Sequence, residues 1–166
     1  MTDIKSVMNF PVKIRPYKTS DTQAIIILFR EAVHAIASKH YSPEQIAVWA
    51  PQEIDAARWQ KSLEETITFV AEIDSTIVGF INTTREGYLD RLYIHKDYQG
   101  GRVSYALFKK IEATAKELGL TKITTDCSIT AKVPAERMGF VVLQEQTVMR
   151  KGVPLINYKM EKILKI

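Results

Sequence analysis

Gly100 and Gly101 stand side by side in DYQGGRVSYALFKK (residues 97–110), just ahead of a stretch with helical periodicity. A helix start exposes backbone N–H groups and a partial positive charge, and glycine lets a ligand reach the main chain without meeting a Cβ atom. The pair therefore suits an anion such as phosphate. It equally suits a plain strand-to-helix turn in which glycine supplies a positive φ. The dinucleotide fingerprint GxGxxG and the pattern GxxxxGK[ST] are both absent, so neither of those phosphate sites is indicated. Cys127 together with His34, His40 or His95 offers a thiol nucleophile and a base. No spacing among them supports a dyad, and a lone strand-end cysteine reads as a small buried hydrophobe. Metal binding is not indicated either. His34 and His40 fall on opposed faces of a helix, and HExxH and paired cysteines are missing.

These residues need a scaffold, and 166 residues, 46% of them hydrophobic, suffice for one domain (1–166) whose core needs no disulfide or metal. The leading MTDIKSVMNF lacks the apolar run and cleavage site of a signal peptide, and no apolar stretch is long enough to span a bilayer. With a single cysteine, this points to a cytoplasmic protein without a membrane partner. A net charge of +4 is modest and spread along the chain, with no basic cluster that would indicate nucleic acid.

Local patterning predicts the elements. VKIRPY reads as a strand, and Ser20 and Asp21 offer capping oxygens ahead of an apolar helix running to Ile36. Ser42 before Pro43 marks a second helix that stops before Pro51, and a third runs from Gln52 to about Glu65. TITFVAEI and TIVGFINTT, separated by Asp74 and Ser75, form a hairpin, and GYLDRLYIH is the next strand. A helix from Val103 to Leu118 buries one face and ends at Gly119. The strand TKITTDCSI, a short helix around Lys132 to Met138, and the strands FVVLQEQTVM and LINYKMEKI complete the chain.

LYIHKDYQGGRVSYALFKKIE followed by DCSITAKVPAERMGF resembles the acetyl-CoA-binding core of GNAT-type N-acetyltransferases, and HYSPEQIAVWA is similar to the YafP-like branch of that family. The resemblance implies an α+β fold. Its sheet is mixed, mostly antiparallel and twisted, with about seven strands split into a V, N-terminal helices and a central cofactor-binding helix. The pantetheine arm of acetyl-CoA would lie in the V and the diphosphate on the helix N-terminus. Carried over by position, Gln99, Gly100, Gly101, Arg102, Val103 and Ser104 fill the family's diphosphate loop, written Q/R-x-x-G-x-G/A. Arg102 replaces the central glycine and either adds a charge-assisted bond or obstructs the loop, while Ser104 replaces the final small residue. Leu92, Tyr93 and Ile94 lie on the incoming strand, where the main-chain groups of Tyr93 and Ile94 would meet the pantetheine amides.

Acetyl transfer to an amine requires a neutral nitrogen, and a lysine-like ammonium with a pKa of about 10.4 needs a base. Asp90 lies on the strand where the family often carries its acid. Regular alternation sets it on one face with Tyr88, Leu92 and Ile94, among apolar neighbours whose burial would raise its pKa. It reads equally as a structural acid with a partner. The family's proton-donating tyrosine is replaced by Ala135, which leaves Ser128, Tyr88 and Tyr93 as hydroxyl candidates. Ser128 also matches a cofactor-contacting position, or it simply closes a strand-to-helix turn. His40, Tyr41 and Trp49 would wall the acceptor side, with Trp49 as plain core the alternative. The expected activity is transfer from acetyl-CoA to a primary amine of a small molecule, an amino acid or a protein, by direct attack in a ternary complex. A non-catalytic acyl-CoA-binding module is the second reading, and homodimer formation is left open.

Overall fold

The computed structural model describes residues 10–165, so nearly all of the leading stretch read for a signal peptide lies outside it. Seven strands form one sheet: β1 (Lys13–Pro16), β2 (Ile67–Ile73), β3 (Thr76–Thr83), β4 (Tyr88–Ile94), β5 (Lys122–Ser128), β6 (Val141–Arg150) and β7 (Val153–Ile163). Their spatial order is β1-β2-β3-β4-β5-β7-β6, and every neighbouring pair is antiparallel except β4 and β5. Among the described residues five α-helices cover the faces: α1 (Thr22–Ile36), α2 (Pro43–Trp49), α3 (Ala56–Glu65), α4 (Arg102–Glu117) and α5 (Ile129–Arg137). This is the mixed, mostly antiparallel α+β architecture expected from the sequence.

Two apolar layers flank the sheet. On one side, Val103, Leu107, Phe108, Ile111 and Ala115 of α4 pack on Ile81, Leu89, Ile123, Cys127 and Met160. On the other, Ile25, Phe29 and Val33 of α1 join Ile46, Leu63, Val70, Phe80 and Leu155. The β2–β3 hairpin turns through Asp74 and Ser75 at φ 49° and 62°, the left-handed pair that a two-residue turn requires. Capping follows local chemistry. Ser42 and Gln45 form a reciprocal capping box on α2, with Ser42 Oγ accepting from Gln45 N at 3.2 Å and Gln45 Oε1 accepting from Ser42 N at 2.8 Å.

Three local expectations are corrected. Asp21 does not cap α1, because its carboxylate accepts two bonds from the Arg15 guanidinium, at 2.8 and 2.9 Å, and one from Lys18 N. The third helix starts at Ala56, where Asp55 accepts from Arg58 N, rather than at Gln52. The helix expected around Lys132 to Met138 begins earlier, at Ile129, because Ser128 caps it.

Glu112 is the buried charge that ties α4 to the far strands. Its carboxylate accepts from Lys162 of β7 and, at 3.3 Å, from Lys109. Burial pushes its pKa up, but Lys162 and Lys109 outweigh that and hold it below the usual carboxylate value. A carboxylate with a depressed folded-state pKa adds stability above its unfolded pKa and loses it as pH falls through the folded one. Glu112→Gln is expected to lower stability at pH 7 by about 1.5–3 kcal/mol, the scale of hydrogen bonds to charged groups. In urea unfolding at stepped pH, that deficit should shrink as the pH falls below about 4.3, where the unfolded wild-type carboxyl takes up its proton.

Candidate functional site

The site begins where β4 and β5 part. These strands pair only at Tyr88↔Thr124 and Leu89↔Thr125. The junction is fastened by Thr124 N donating to Gly87 O and Thr125 Oγ1 donating to Leu89 O, both at 2.9 Å. Beyond it the two strands diverge as the arms of a fork, the V that the family resemblance implies. Asp90 is the first residue of the β4 arm and Asp126 the first of the β5 arm.

Asp90 occupies a β-bulge. Thr83 pairs with Leu89 and Asn82 with Arg91, which leaves Asp90 without an opposite residue. The extra residue breaks the alternation assumed from the sequence. Leu89, Leu92 and Ile94 all pack in the α4 layer, whereas Tyr93 packs in the α1 layer and Arg91 lies over the Trp59 ring. Asp90 therefore does not share a face with Leu92 and Ile94, and it is exposed rather than buried, with Oδ2 3.5 Å from Arg91 Nη1. The expectation of an acid among apolar neighbours is not met.

Tyr88 donates its phenol hydrogen to Asp126 Oδ2 at 2.8 Å, and Gln146 Nε2 of β6 donates to Asp126 Oδ1 at 2.9 Å. Burial first, and then the bond to Asp126, push the Tyr88 pKa well above its ordinary value, so it remains an O–H donor. Neither Asp126 nor Gln146 was singled out from the sequence. Asp126 was nonetheless readable, since Ile123 and Cys127 face the core and strand alternation turns Thr124, Asp126 and Ser128 the other way. Gln146 was not, because it reaches Asp126 across an intervening strand.

Along β4, His95 N donates to Val78 O. Antiparallel alternation then directs the main-chain groups of Tyr93 to Phe80 and turns those of Leu92 and Ile94 toward the open arm. Tyr93 is thus corrected as a main-chain partner for a ligand. The Ile94 N–H points toward the open arm by this alternation, while its carbonyl accepts from Gln99 Nε2 at 2.9 Å. The Tyr93 phenol accepts from Trp49 Nε1 at 3.2 Å, and burial pushes its pKa up to about 12.

At the end of this arm lies the loop. Gly100 and Gly101 have φ of 117° and 91°, and a Cβ on either would enter open space. Gly101 is the N-cap of α4 and provides no side-chain cap, whereas the starts of α2, α3 and α5 are each capped by a side chain. The longest helix thus starts without a side-chain cap, and a helix N-terminus of this kind fits a diphosphate. Val103 is core, Ser104 Oγ donates to Gly101 O at 3.2 Å, and the Arg102 guanidinium donates to Phe10 O.

The remaining candidates separate. Ser128 Oγ accepts from Ala131 N at 3.1 Å as the α5 cap and retains a hydrogen to donate. Tyr41 is buried, donating to Ile156 O at 2.6 Å and accepting from Ile129 N at 2.9 Å. It is corrected from an acceptor-side wall to a brace that joins the N-terminal helices to β7 and α5. His40 is exposed, with Nδ1 3.0 Å from Thr130 Oγ1, and Trp49 is half-buried against Tyr41 and Tyr93. Cys127 is buried, which pushes its thiol up to about 12 and removes it as a nucleophile at neutral pH.

The family model for the acetyltransferase (GNAT) domain matches residues 37–162, from the second core layer to the last strand. The chain belongs to the GNAT acetyltransferase family. It is 38% identical over 149 residues to the uncharacterized N-acetyltransferase YafP of Escherichia coli K12, covering 90% of this chain and 94% of that protein. A GCN5-related N-acetyltransferase structure from Rhodopseudomonas palustris superposes with a TM-score of 0.88 at 30% identity, over 92% of this chain and 95% of that one. A PaiA N-acetyltransferase from Thermoplasma acidophilum, solved with coenzyme A, shares the fold at a TM-score of 0.75 and 21% identity, over 92% and 99% of the two chains. Acetyl-CoA is the co-substrate of the GNAT family, and the uncapped α4 start and the fork are the features of this chain that fit it.

Gly101→Val would place a β-branched residue at φ 91° and a side chain in the space before α4. Calorimetry with coenzyme A is expected to show binding weakened by about tenfold or more, the scale of one lost charge-assisted hydrogen bond.

Proposed function

We propose that the protein transfers an acetyl group from acetyl-CoA to a primary amine by direct attack in a ternary complex. The observation that carries this reading is the fork at Leu89 and Thr125, which opens between an uncapped helix start and two carboxylates. When bound, acetyl-CoA supplies the activated acyl group as a thioester.

The residues of this chain supply the rest. The N–H groups opening α4 hold the diphosphate, and the outward main-chain groups of Leu92 and the Ile94 N–H hold the pantetheine arm along β4. Asp90 lies exposed at the crotch of the fork and takes the proton of the incoming ammonium, directly or through water. Its exposure suits the water-mediated route. Tyr88, kept protonated, steadies the opposite side of the fork through Asp126. Ala135 carries no hydroxyl, so the departing thiolate receives its proton from Ser128, whose hydrogen is still available after capping α5, or from water.

Asp90→Asn should leave acetyl-CoA affinity within about twofold while lowering kcat by about 10²-fold or more, as expected for loss of a general base. Thiol release with a primary-amine acceptor reads turnover, and kcat/KM against pH should lose its acidic limb in the variant. A variant that keeps that limb would place the base elsewhere. Thermal stabilisation by acetyl-CoA with no thiol release across an amine panel would establish a binding module instead.

A further inference from the structure

Beyond Leu89 and Thr125 the two arms of the fork share no ladder pair. Groups on separate arms can act together only when the distance between the arms is fixed. At the base, Tyr88 and Asp126 tie them. Further along, the connection runs through two aromatic side chains that belong to neither arm, Trp49 and Tyr41.

From the β4 arm, the Tyr93 phenol accepts from Trp49 Nε1 at 3.2 Å. The Trp49 ring meets the Tyr41 ring edge-on, with centroids 5.2 Å apart. The Tyr41 hydroxyl accepts from Ile129 N at 2.9 Å, the residue that directly follows the β5 arm, and donates to Ile156 O of β7 at 2.6 Å. Tyr41 is only 6% exposed, so both bonds are sheltered from water. The start of α2 is fastened to the same strand a second time, because Gln45 Nε2 donates to Pro154 O at 2.9 Å. The path Tyr93–Trp49–Tyr41–Ile129 therefore spans the fork from arm to arm.

At its far end this path meets Ser128. Two of the first N–H groups of α5 have side-chain acceptors, Ile129 N on Tyr41 and Ala131 N on Ser128 Oγ. Ser128 pairs with Asn157 on β7, and the next amide along the chain is the one that Tyr41 holds. We propose that Tyr41 is a positioning residue, which through Ile129 fixes the Ser128 hydroxyl at the distance from the β4 arm that protonation of the departing thiolate requires. This rests on the reading that the fork is an acetyl-transfer site with Ser128 as its proton donor. Ser128 Oγ gives its proton to the sulfur that leaves with the C–S bonding pair, and regains one from water.

The test is a double-variant cycle on thiol release with a primary amine, alongside calorimetry with coenzyme A. Ser128→Ala is expected to lower kcat by about 10²-fold, the scale of a lost general acid. Tyr41→Phe keeps the ring and removes both bonds. It should lower kcat by about tenfold or more and leave coenzyme A affinity within about threefold, because the diphosphate loop lies at the end of the other arm. In the Ser128→Ala background the same substitution should cost less than about twofold, since its effect runs through that hydroxyl. Trp49→Phe, which keeps an aromatic ring and removes the bond to Tyr93, should show the same dependence on Ser128 and carries the cycle should Tyr41→Phe fail to fold. Additive losses, a coenzyme A affinity that falls as far as kcat does, or an unchanged kcat in Ser128→Ala overturns the proposal while leaving acetyl transfer intact. Wild-type protein that binds coenzyme A but releases no thiol with any amine would instead overturn the acetyl-transfer reading.

Discussion

The architecture turns on the shortness of one strand pairing. Two residue pairs join β4 to β5, and after Leu89 and Thr125 the strands separate although each remains paired on its other side. Separation inside a sheet exposes backbone groups that would normally be saturated, a cost tolerated only where another partner takes their place. The candidate site residues of β4, β5 and the α4 start lie along that opening. The bulge at Asp90 swings the β4 arm, Thr125 Oγ1 pins its base through the Leu89 carbonyl, and α4 starts where the arm ends.

The two apolar layers keep the opening rigid. α4 is fastened by the buried ring of Phe108 against Phe140 and by the Glu112 ion cluster, so its start is held at a set height above β4. On the opposite face, Phe29, Trp49, Phe80 and Tyr93 form a continuous aromatic group that fixes the side of the fork away from α4. Tyr41 links this group to β7 and α5 with both of its hydrogen-bonding capacities. A mobile cleft would lose alignment of groups on separate strands, whereas here each arm is backed by its own core.

Much of this was legible in the sequence. Apolar periodicity gave α1 and α4, Ser42 with Pro43 gave α2, and Asp74-Ser75 gave the hairpin, because each signal is local and its chemistry acts within a few residues. The fork itself came through resemblance and not through patterning. The face of Asp90 was misread because strand alternation presupposes an unbroken ladder, and a bulge is invisible without the partner strand. Gln146 escaped for a related reason. It reaches Asp126 across β7, which enters between β5 and β6 against chain order, and no local pattern encodes that insertion.

The bulge also frees position 90 from the pattern of the core. Its side chain projects into solvent, so as far as folding is concerned it accepts a wide choice of residues. The extra residue is dispensable to the faces as well: with residue 90 removed, Leu89 and Arg91 would become neighbours opposite Thr83 and Asn82 in a regular ladder, Leu92 and Ile94 would still face α4, and Tyr93 would still face the aromatic layer. Across descendants of this chain, residue 90 is free to drift with the chemistry required of it, and even its loss would spare the packing while taking a carboxylate and the local twist from the base of the fork.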